Sequence, residues 1–303
     1  MIHEYKNGDS LWIDVVSPTK DEVVGLMERF HLDPFLAEDL MTPGIKSKID
    51  YYRDYIFMAL SFPSQRTSPT ESSSQEIDFV LGKNFLITVR YDFIEAFEIF
   101  SKLFEVDSVL KRSSITHAGA IFYHLLTRLY DATFHQLESM QDSLQHIEMR
   151  IFKGEEKKVV RELLVLSSDL IHFKQTIGSH EETLSSFKIA AGKLFDEEYS
   201  FYVNGIVAAY QKIYREIRNK REFLFELRET NDSLLNTKQN ENMRVFTMLA
   251  FFTFPLSLVV AIFALPTTWR PIIGMPYDFV IIMGILVVIL SLMILYFKDK
   301  KWL

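Results

Sequence analysis

Residues 245–269 read VFTMLAFFTFPLSLVVAIFALPTTW and residues 279–297 read FVIIMGILVVILSLMILYF, two runs of 25 and 19 residues without a charged side chain. About 20 apolar residues carry a helix across the hydrocarbon core of a bilayer, so both runs are long enough to span. Burying both in a soluble core would need an interior that a chain of 303 residues does not build at one edge. They read as two membrane helices joined in a hairpin. Neither reads as a signal peptide, since both lie far from the polar start MIHEYKNGDS.

The flanking charges orient the hairpin. Arg244 precedes the first run, and Lys298, Lys300 and Lys301 follow the second, while the connecting loop 267–278 carries only Arg270 and Asp278. Basic residues stay on the cytoplasmic side, which places both termini in the cytoplasm and the loop outside. Residues 244–303 hold five basic and two acidic side chains, a net of +3. The total of −7 therefore leaves −10 on the first 243 residues. An acidic body attracts cations and argues against a nucleic-acid partner, which needs a basic face. The chain contains no cysteine, which excludes disulfides, thiolate metal sites and a cysteine nucleophile and fits a reducing compartment.

The first ~115 residues alternate strand and helix patterns, the mark of an α/β domain. Residues 11–15 (LWIDV) read as a strand. A helix follows over 19–30, with Thr19 as its cap and Glu22 three residues on as a capping box. A short helix at 34–41, a strand at 55–62 and a polar Ser/Thr/Pro loop at 63–75 come next. Residues 76–81 and 85–90 pair as a hairpin around Gly82–Lys83–Asn84. From about 117 the pattern is helical, with helices at 117–151 and 156–190 broken by Gly154 and punctuated by Ala191–Gly192.

After Gly205 no proline occurs until Pro255, and apolar residues recur at 206, 210, 213, 217, 224, 227 and 234. Spacing of this kind predicts a seam for partner helices, interrupted by Lys220 and Asn231, with Glu216 and Lys220 paired at i,i+4. No loop signal separates the seam from the first membrane run, so one helix of about 65 residues, near 100 Å long, is predicted. Oligomerisation about a central axis would bury its stripe. Stepping along the membrane part by threes and fours gives Asn240, Met243, Thr247, Ala250, Phe254, Ser257 and Ala261 as the face shown to such an axis. Phe251, Leu258, Val259 and Ile262 would look elsewhere. No carboxylate or histidine lies in either run, so ion passage would rest on amides, hydroxyls and carbonyls acting on a largely hydrated ion. Pro255 removes the intrahelical donor to the carbonyl of Phe251; it either frees an acceptor in the bilayer or simply kinks a packed helix.

Other motifs carry little. His117 and His124 sit seven apart on one predicted helical face without a nearby carboxylate, a weak ligand pattern. His180, Glu181 and Glu182 are adjacent rather than face-matched and read as solvated. Asn231–Asp232–Ser233 is a glycosylation sequon on the wrong side of the membrane, and Lys111–Arg112 is too small a basic patch to mean anything alone. Gly-x-Gly-x-x-Gly, Walker A, His-Glu-x-x-His and Gly-x-Ser-x-Gly are all missing from the sequence, and no catalytic constellation assembles. The reading is a non-enzymatic membrane protein.

Several strings resemble the CorA family of divalent metal-ion transporters: LWIDVVSPTKDEV, LDPFLAEDL, FVLGKNFLITV, NENMRVFTMLAFFTFPLSL and YFKDKKWL. The match runs without a gap from Asn240 to Pro266. The resemblance implies a homopentamer in the inner (plasma) membrane, in contact with lipid. It would have an α/β cytoplasmic funnel, five long pore-lining helices and an outer ring of second membrane helices. It also implies passive Mg²⁺ uptake with Co²⁺ or Ni²⁺ tolerated, no resident cofactor, and Mg²⁺ as a possible regulator. Its division of the chain is 1–115 cytoplasmic α/β, 116–195 cytoplasmic helical, 196–243 cytoplasmic pore helix, 244–266 first span, 267–278 external loop, 279–297 second span and 298–303 basic tail.

Two departures from the family stand out. Its Gly-Met-Asn signature, which supplies an Asn ring for the hydrated ion, falls at Ala264, Leu265 and Pro266, and Gly274–Met275–Pro276 lies ten residues later. Of the acidic residues implied to bind regulatory Mg²⁺ between subunits, one falls at Glu95, but its partner position is Gly205. Asn240 matches the inner pore Asn, Met243 the hydrophobic gate and Ser257 a hydroxyl-bearing pore position. Mg²⁺ transport is the leading reading. The alternatives are Zn²⁺ or other metal transport with proton coupling, and a non-conducting scaffold or sensor.

Overall fold

Alternation along LWIDVV places Trp12 and Asp14 on one side of a strand and Ile13 and Val15 on the other, and the computed structural model buries all four. It describes residues 1–44, 47–64, 74–110 (backbone only for 107–110), 117–195, 199–266 and 272–299. The strand is β2 (Ser10–Val16), in a six-stranded sheet of order β1-β2-β6-β5-β4-β3. The other strands are β1 (Ile2–Asn7), β3 (Lys48–Tyr51), β4 (Tyr55–Pro63), β5 (Ser74–Gly82) and β6 (Phe85–Arg90). Only β2 and β6 pair in parallel, in register Ile13↔Ile87; the other neighbours are antiparallel. The helices α1 (Lys20–Phe30) and α2 (Leu36–Met41) cover one face through Val23, Leu26, Leu36 and Leu40. On the other face α3 (Glu95–Leu110) and α4 (Ala118–Phe152) supply Phe97, Phe100 and Phe104 against Trp12, and Phe122 against Phe79. With both faces covered, β4 is buried from end to end.

The capping box at Thr19 and Glu22 is present, with both reciprocal hydrogen bonds formed. The hairpin of β5 and β6 also forms where expected. Strands β1 and β3 and helix α3 were not anticipated. The two strands are at the sheet edges, where one side faces water and the apolar alternation fades. The expected helix 156–190 is two helices, α5 (Glu156–Gly178) and α6 (His180–Leu194). Gly178 and Ser179 are poor helix formers, and Ser179 bonds back to the Thr176 carbonyl while its hydroxyl meets that of Ser47 at 2.8 Å. Ala191–Gly192 does not interrupt α6, which continues to Leu194.

Helix α7 (Ser200–Ala264) runs 65 residues without a break, and α8 (Asp278–Asp299) follows. The chain divides into two compact units, Met1–Glu229 and Thr230–Leu303, with the division falling inside α7. Within the first unit the apolar seam is already filled by the chain itself. Ile206, Tyr210, Ile213, Ile217, Leu224 and Leu227 are all buried, which corrects the expectation that partner helices cover them. Helix α4 runs alongside in the same direction. Tyr199 donates to the Gly119 carbonyl at 3.2 Å, Lys212 lies over the Phe134 ring at 4.0 Å, and Lys220 donates to Gln141 at 3.2 Å. Lys220 is thus a buried member of the seam, paired with Glu216 at 3.6 Å.

A buried polar network ties the sheet to α3. Arg90 contacts Asp14 at 3.0 Å and Glu98 at 3.1 Å, Thr88 donates to Asp14 at 2.8 Å, and Trp12 donates to Thr88 at 3.1 Å. Expectations that fall on Lys111–Arg112, most of the 63–75 loop, Arg270, Lys300 and Lys301 lie outside the described residues.

Candidate functional site

In the second unit, α7 and α8 are both long and apolar enough to cross a membrane. Their packing defines which face of α7 remains open. On α8, Ile282, Ile285, Leu286, Ile289, Leu290 and Met293 are half-buried and Phe297 is buried, a stripe at steps of three and four. Phe297 meets Phe252 at 5.2 Å and Phe251 at 6.0 Å between ring centroids. On α7 the matching half-buried positions are Met248, Phe252, Pro255, Leu256, Val259 and Phe263. At 100° per residue this stripe centres on Phe252, and Pro255 belongs to it.

The face predicted for an axis lies elsewhere on the same helix. Measured from Phe252, the positions 240, 243, 247, 250, 254, 257 and 261 fall between about 140° and 240° around the helix, opposite the α8 stripe. Asn240, Met243, Phe254, Ser257 and Ala261 are exposed, and the small residues Thr247 and Ala250 are half-buried. Phe254 is 73% exposed. The Thr247 hydroxyl donates to the Met243 carbonyl at 2.8 Å, which leaves its oxygen able to accept. The side of α7 opposite α8 therefore carries an amide, two hydroxyls and a thioether, and the flanking Val245, Leu249, Leu258 and Ile262 are exposed as well. Of the residues expected to look elsewhere, Val259 is turned to α8, while Phe251, Leu258 and Ile262 are exposed.

At the end of α7, Ala264 is the last helical residue, and Leu265 and Pro266 follow, all exposed. Pro266 has no N–H, and its fixed φ suits the exit from a helix. Gly274 has a separate local task. Met275 donates to the Ile272 carbonyl at 3.2 Å, closing a turn in which Gly274 takes φ +99, a conformation glycine adopts without strain. The Asp278 carboxylate then accepts from the backbone of Gly274 at 3.1 Å and of Phe279 at 2.7 Å. Gly274–Met275–Pro276 thus forms the lead-in to α8, separate from the end of α7.

The predicted regulatory position Glu95 is the exposed first residue of α3. Gly205 packs so closely on Tyr123 that an added Cβ would lie 2.7 Å from the ring. A side chain at 205 would require the Tyr123 ring to move. Among the described residues no group of three or more His, Asp or Glu side chains is placed to hold a metal ion. His117 is a helix cap: its Nδ1 accepts from the Ala120 amide at 3.2 Å, and burial pushes its pKa down. His180 is not solvated, as its neighbours suggested, but fully buried. Its ring joins Tyr130 of α4 at 2.9 Å and the Ser61 carbonyl of β4 at 2.7 Å.

The sequence reading missed one acidic group. Asp78 and Glu76 on β5 are buried, and each keeps one carboxylate oxygen without a hydrogen bond among the described residues. Burial raises both pKa values, and their mutual repulsion adds to the shift at Asp78. Alternation along β5 sets the pair on one side of the strand, a signal that was legible but obscured by the polar loop before it.

Comparison with known proteins places this geometry. A family model described as "CorA-like Mg2+ transporter protein" matches residues 7–300. The chain is 24% identical over 293 residues to the cobalt/magnesium transport protein CorA of Thermotoga maritima, covering 96% of this chain and 83% of that one. The complete structure of the CorA magnesium transporter from Methanocaldococcus jannaschii superposes with a TM-score of 0.83 at 18% identity, over 99% of this chain and 93% of that one. The full-length CmaX protein superposes at 0.75 with 15% identity, over 97% and 89%. With its mixed α/β domain, its long helix and two apolar C-terminal helices, the chain belongs to the family of CorA-like Mg2+ transporter proteins.

Proposed function

We propose that the chain assembles as a homopentamer and conducts Mg²⁺ passively into the cytoplasm along an axis lined by α7, with Co²⁺ or Ni²⁺ tolerated. The observation that carries this reading is the alignment of Asn240, Met243, Thr247, Ala250, Phe254, Ser257 and Ala261 along the side of α7 opposite the α8 stripe. Family membership supports it. Five copies around an axis would cover those residues and turn their polar atoms toward a hydrated ion, for which amides and hydroxyls suffice. The buried seam supplies no support for assembly, because unit one fills it internally.

On this reading residues 244–266 and 279–297 cross the membrane, 267–278 form the outer loop, and both termini are cytoplasmic beside lipid. Ala264, Leu265 and Pro266 form the outer mouth. It offers carbonyls and no amide donors to hydration water, so capture of the ion falls to Asn240 and the constriction at Met243. Glu95 acts without an opposing acid at 205, and Mg²⁺ feedback is weak. The deciding experiment is metal uptake into proteoliposomes with Mg²⁺, Co²⁺, Ni²⁺ and Zn²⁺, with and without a pH gradient, alongside native mass of the extracted protein. Mg²⁺ flux independent of the gradient in a five-copy assembly is the expected result. Proton-coupled Zn²⁺ flux, absence of flux, or a monomer would each overturn it.

A further inference from the structure

Helices α6 and α7 enclose an open cavity of about 470 Å³ in the first unit, within the range of small-molecule sites. Its wall includes Glu181 and Lys188 from α6 and Tyr210, Tyr214, Arg215 and Arg218 from α7. Three cations against one acid is an unusual balance in a body whose first 243 residues carry −10. Among the described residues, Lys188, Arg215 and Arg218 form no hydrogen bond or ion pair. Arg215 and Arg218 lie three apart, hence on one helical face, and both are exposed. Some surface cations elsewhere in the unit are matched, such as Arg29 to Glu4, Lys48 to Asp39 and Arg150 to Glu155 and Glu162. Others, such as Lys174 and Arg221, are not matched among the described residues, so what distinguishes these three is their convergence on one cavity.

The cavity also has an aromatic side. Tyr210 and Tyr214 stack with centroids 5.8 Å apart and planes 27° from parallel, and Tyr214 is half-exposed. Tyr210 is buried, and its hydroxyl has no hydrogen-bond partner among the described residues. The Glu181 carboxylate beside it is a pure acceptor, suited to amino or hydroxyl donors and not to phosphate. A simple anion would use the cations and leave the ring and the carboxylate idle. A lipid-like tail would be opposed by the four charged groups.

We propose that this cavity binds a nucleotide. The guanidinium forks of Arg215 and Arg218, with Lys188, take the phosphate oxygens. The base lies against Tyr214, and Glu181 accepts from a donor on the sugar or base. The site belongs to α6 and α7 of one chain, and its test does not depend on conduction.

The test is calorimetric titration of the full chain in detergent, with divalent ions chelated, using ADP and pyrophosphate as probes. ADP should bind saturably, and more tightly than pyrophosphate. Replacing Arg215→Ala together with Arg218→Ala should weaken both probes by about tenfold or more, an exposed change that leaves the fold intact. Tyr214→Leu should weaken ADP and leave pyrophosphate unchanged. Added salt should weaken all binding. Absence of saturable ADP binding, or binding indifferent to the two arginines, would overturn the proposal. So would equal affinity for the two probes with no effect of Tyr214→Leu, which would indicate a plain anion site. If the double arginine change instead alters the native mass, the cations serve a contact between copies and the nucleotide reading fails.

Discussion

His180→Gln probes the joint between the sheet and the helices, and its effect can be worked from the site. The Ser61 carbonyl can only accept, so Nε2 carries the proton, and Nδ1 accepts from the Tyr130 hydroxyl. The ring is neutral, satisfied and fully buried. Burial lowers its pKa to about 4, partly opposed by the bond to Ser61. An unfolded histidine titrates near 6.5, so the folded state resists a proton that the unfolded state accepts. The stability this represents is complete above pH 6.5 and is lost as pH falls toward 4. The full difference is about 3 kcal/mol, of which about 2 is gone by pH 5. Glutamine cannot titrate, so its variant should lose about 1–3 kcal/mol at pH 7 through poorer hydrogen bonding and should lack this slope. Glu76 and Asp78 have raised pKa values and act in the opposite sense, gaining stability as pH falls, but they are common to both proteins and cancel in the comparison. Hydrogen exchange of the β4 and α6 amides in the full chain, corrected for intrinsic rates, gives the readout. Protection in the wild type should exceed that of the variant at pH 7 and approach it by pH 5. A difference that stays constant across that interval would refute the argument.

Gly205→Ala should destabilise the α4–α7 contact by about 1–3 kcal/mol, because its Cβ would meet the Tyr123 ring at 2.7 Å. Tyr123→Ala should relieve that penalty in a double-mutant cycle read by thermal unfolding in detergent; simple additivity would show that the ring yields freely. Asp14→Ala should cost about 2–4 kcal/mol, since it removes the buried partner of Arg90 and leaves the guanidinium only the half-exposed Glu98, and the fraction of folded protein by size exclusion should fall. Pro266→Asn with Ala264→Gly should raise Mg²⁺ flux at low external concentration, while Asn240→Ala should lower flux in either background. Unchanged flux in both would remove these residues from the conduction path. Protease protection of the soluble part should change little up to about 20 mM Mg²⁺, and strong saturable protection abolished by Glu95→Ala would restore that gate.

Much of this protein was legible as a string because the signals involved are local. Two uncharged runs fix the helices α7 and α8 through length and composition alone. Thr19 with Glu22 announces a helix start, and Gly82–Lys83–Asn84 announces a hairpin, since caps and turns are decided within four residues. Steps of three and four also place Asn240 to Ala261 on one side of α7, opposite α8, because helix geometry does not depend on context.

What the tertiary structure decided are the properties that depend on what lies opposite. The seam from Ile206 to Leu227 has the spacing of an interface, but spacing cannot say whose helix fills it; packing assigns it to the chain itself. His180 stands between Ser179 and Glu181 in a polar string, yet the turn at Gly178–Ser179 drives its ring between β4 and α4. At Gly205 the sequence shows only a small residue, and the fold supplies the Tyr123 ring packed against it. Periodicity gives the direction a side chain faces, and only the fold supplies the surface it meets.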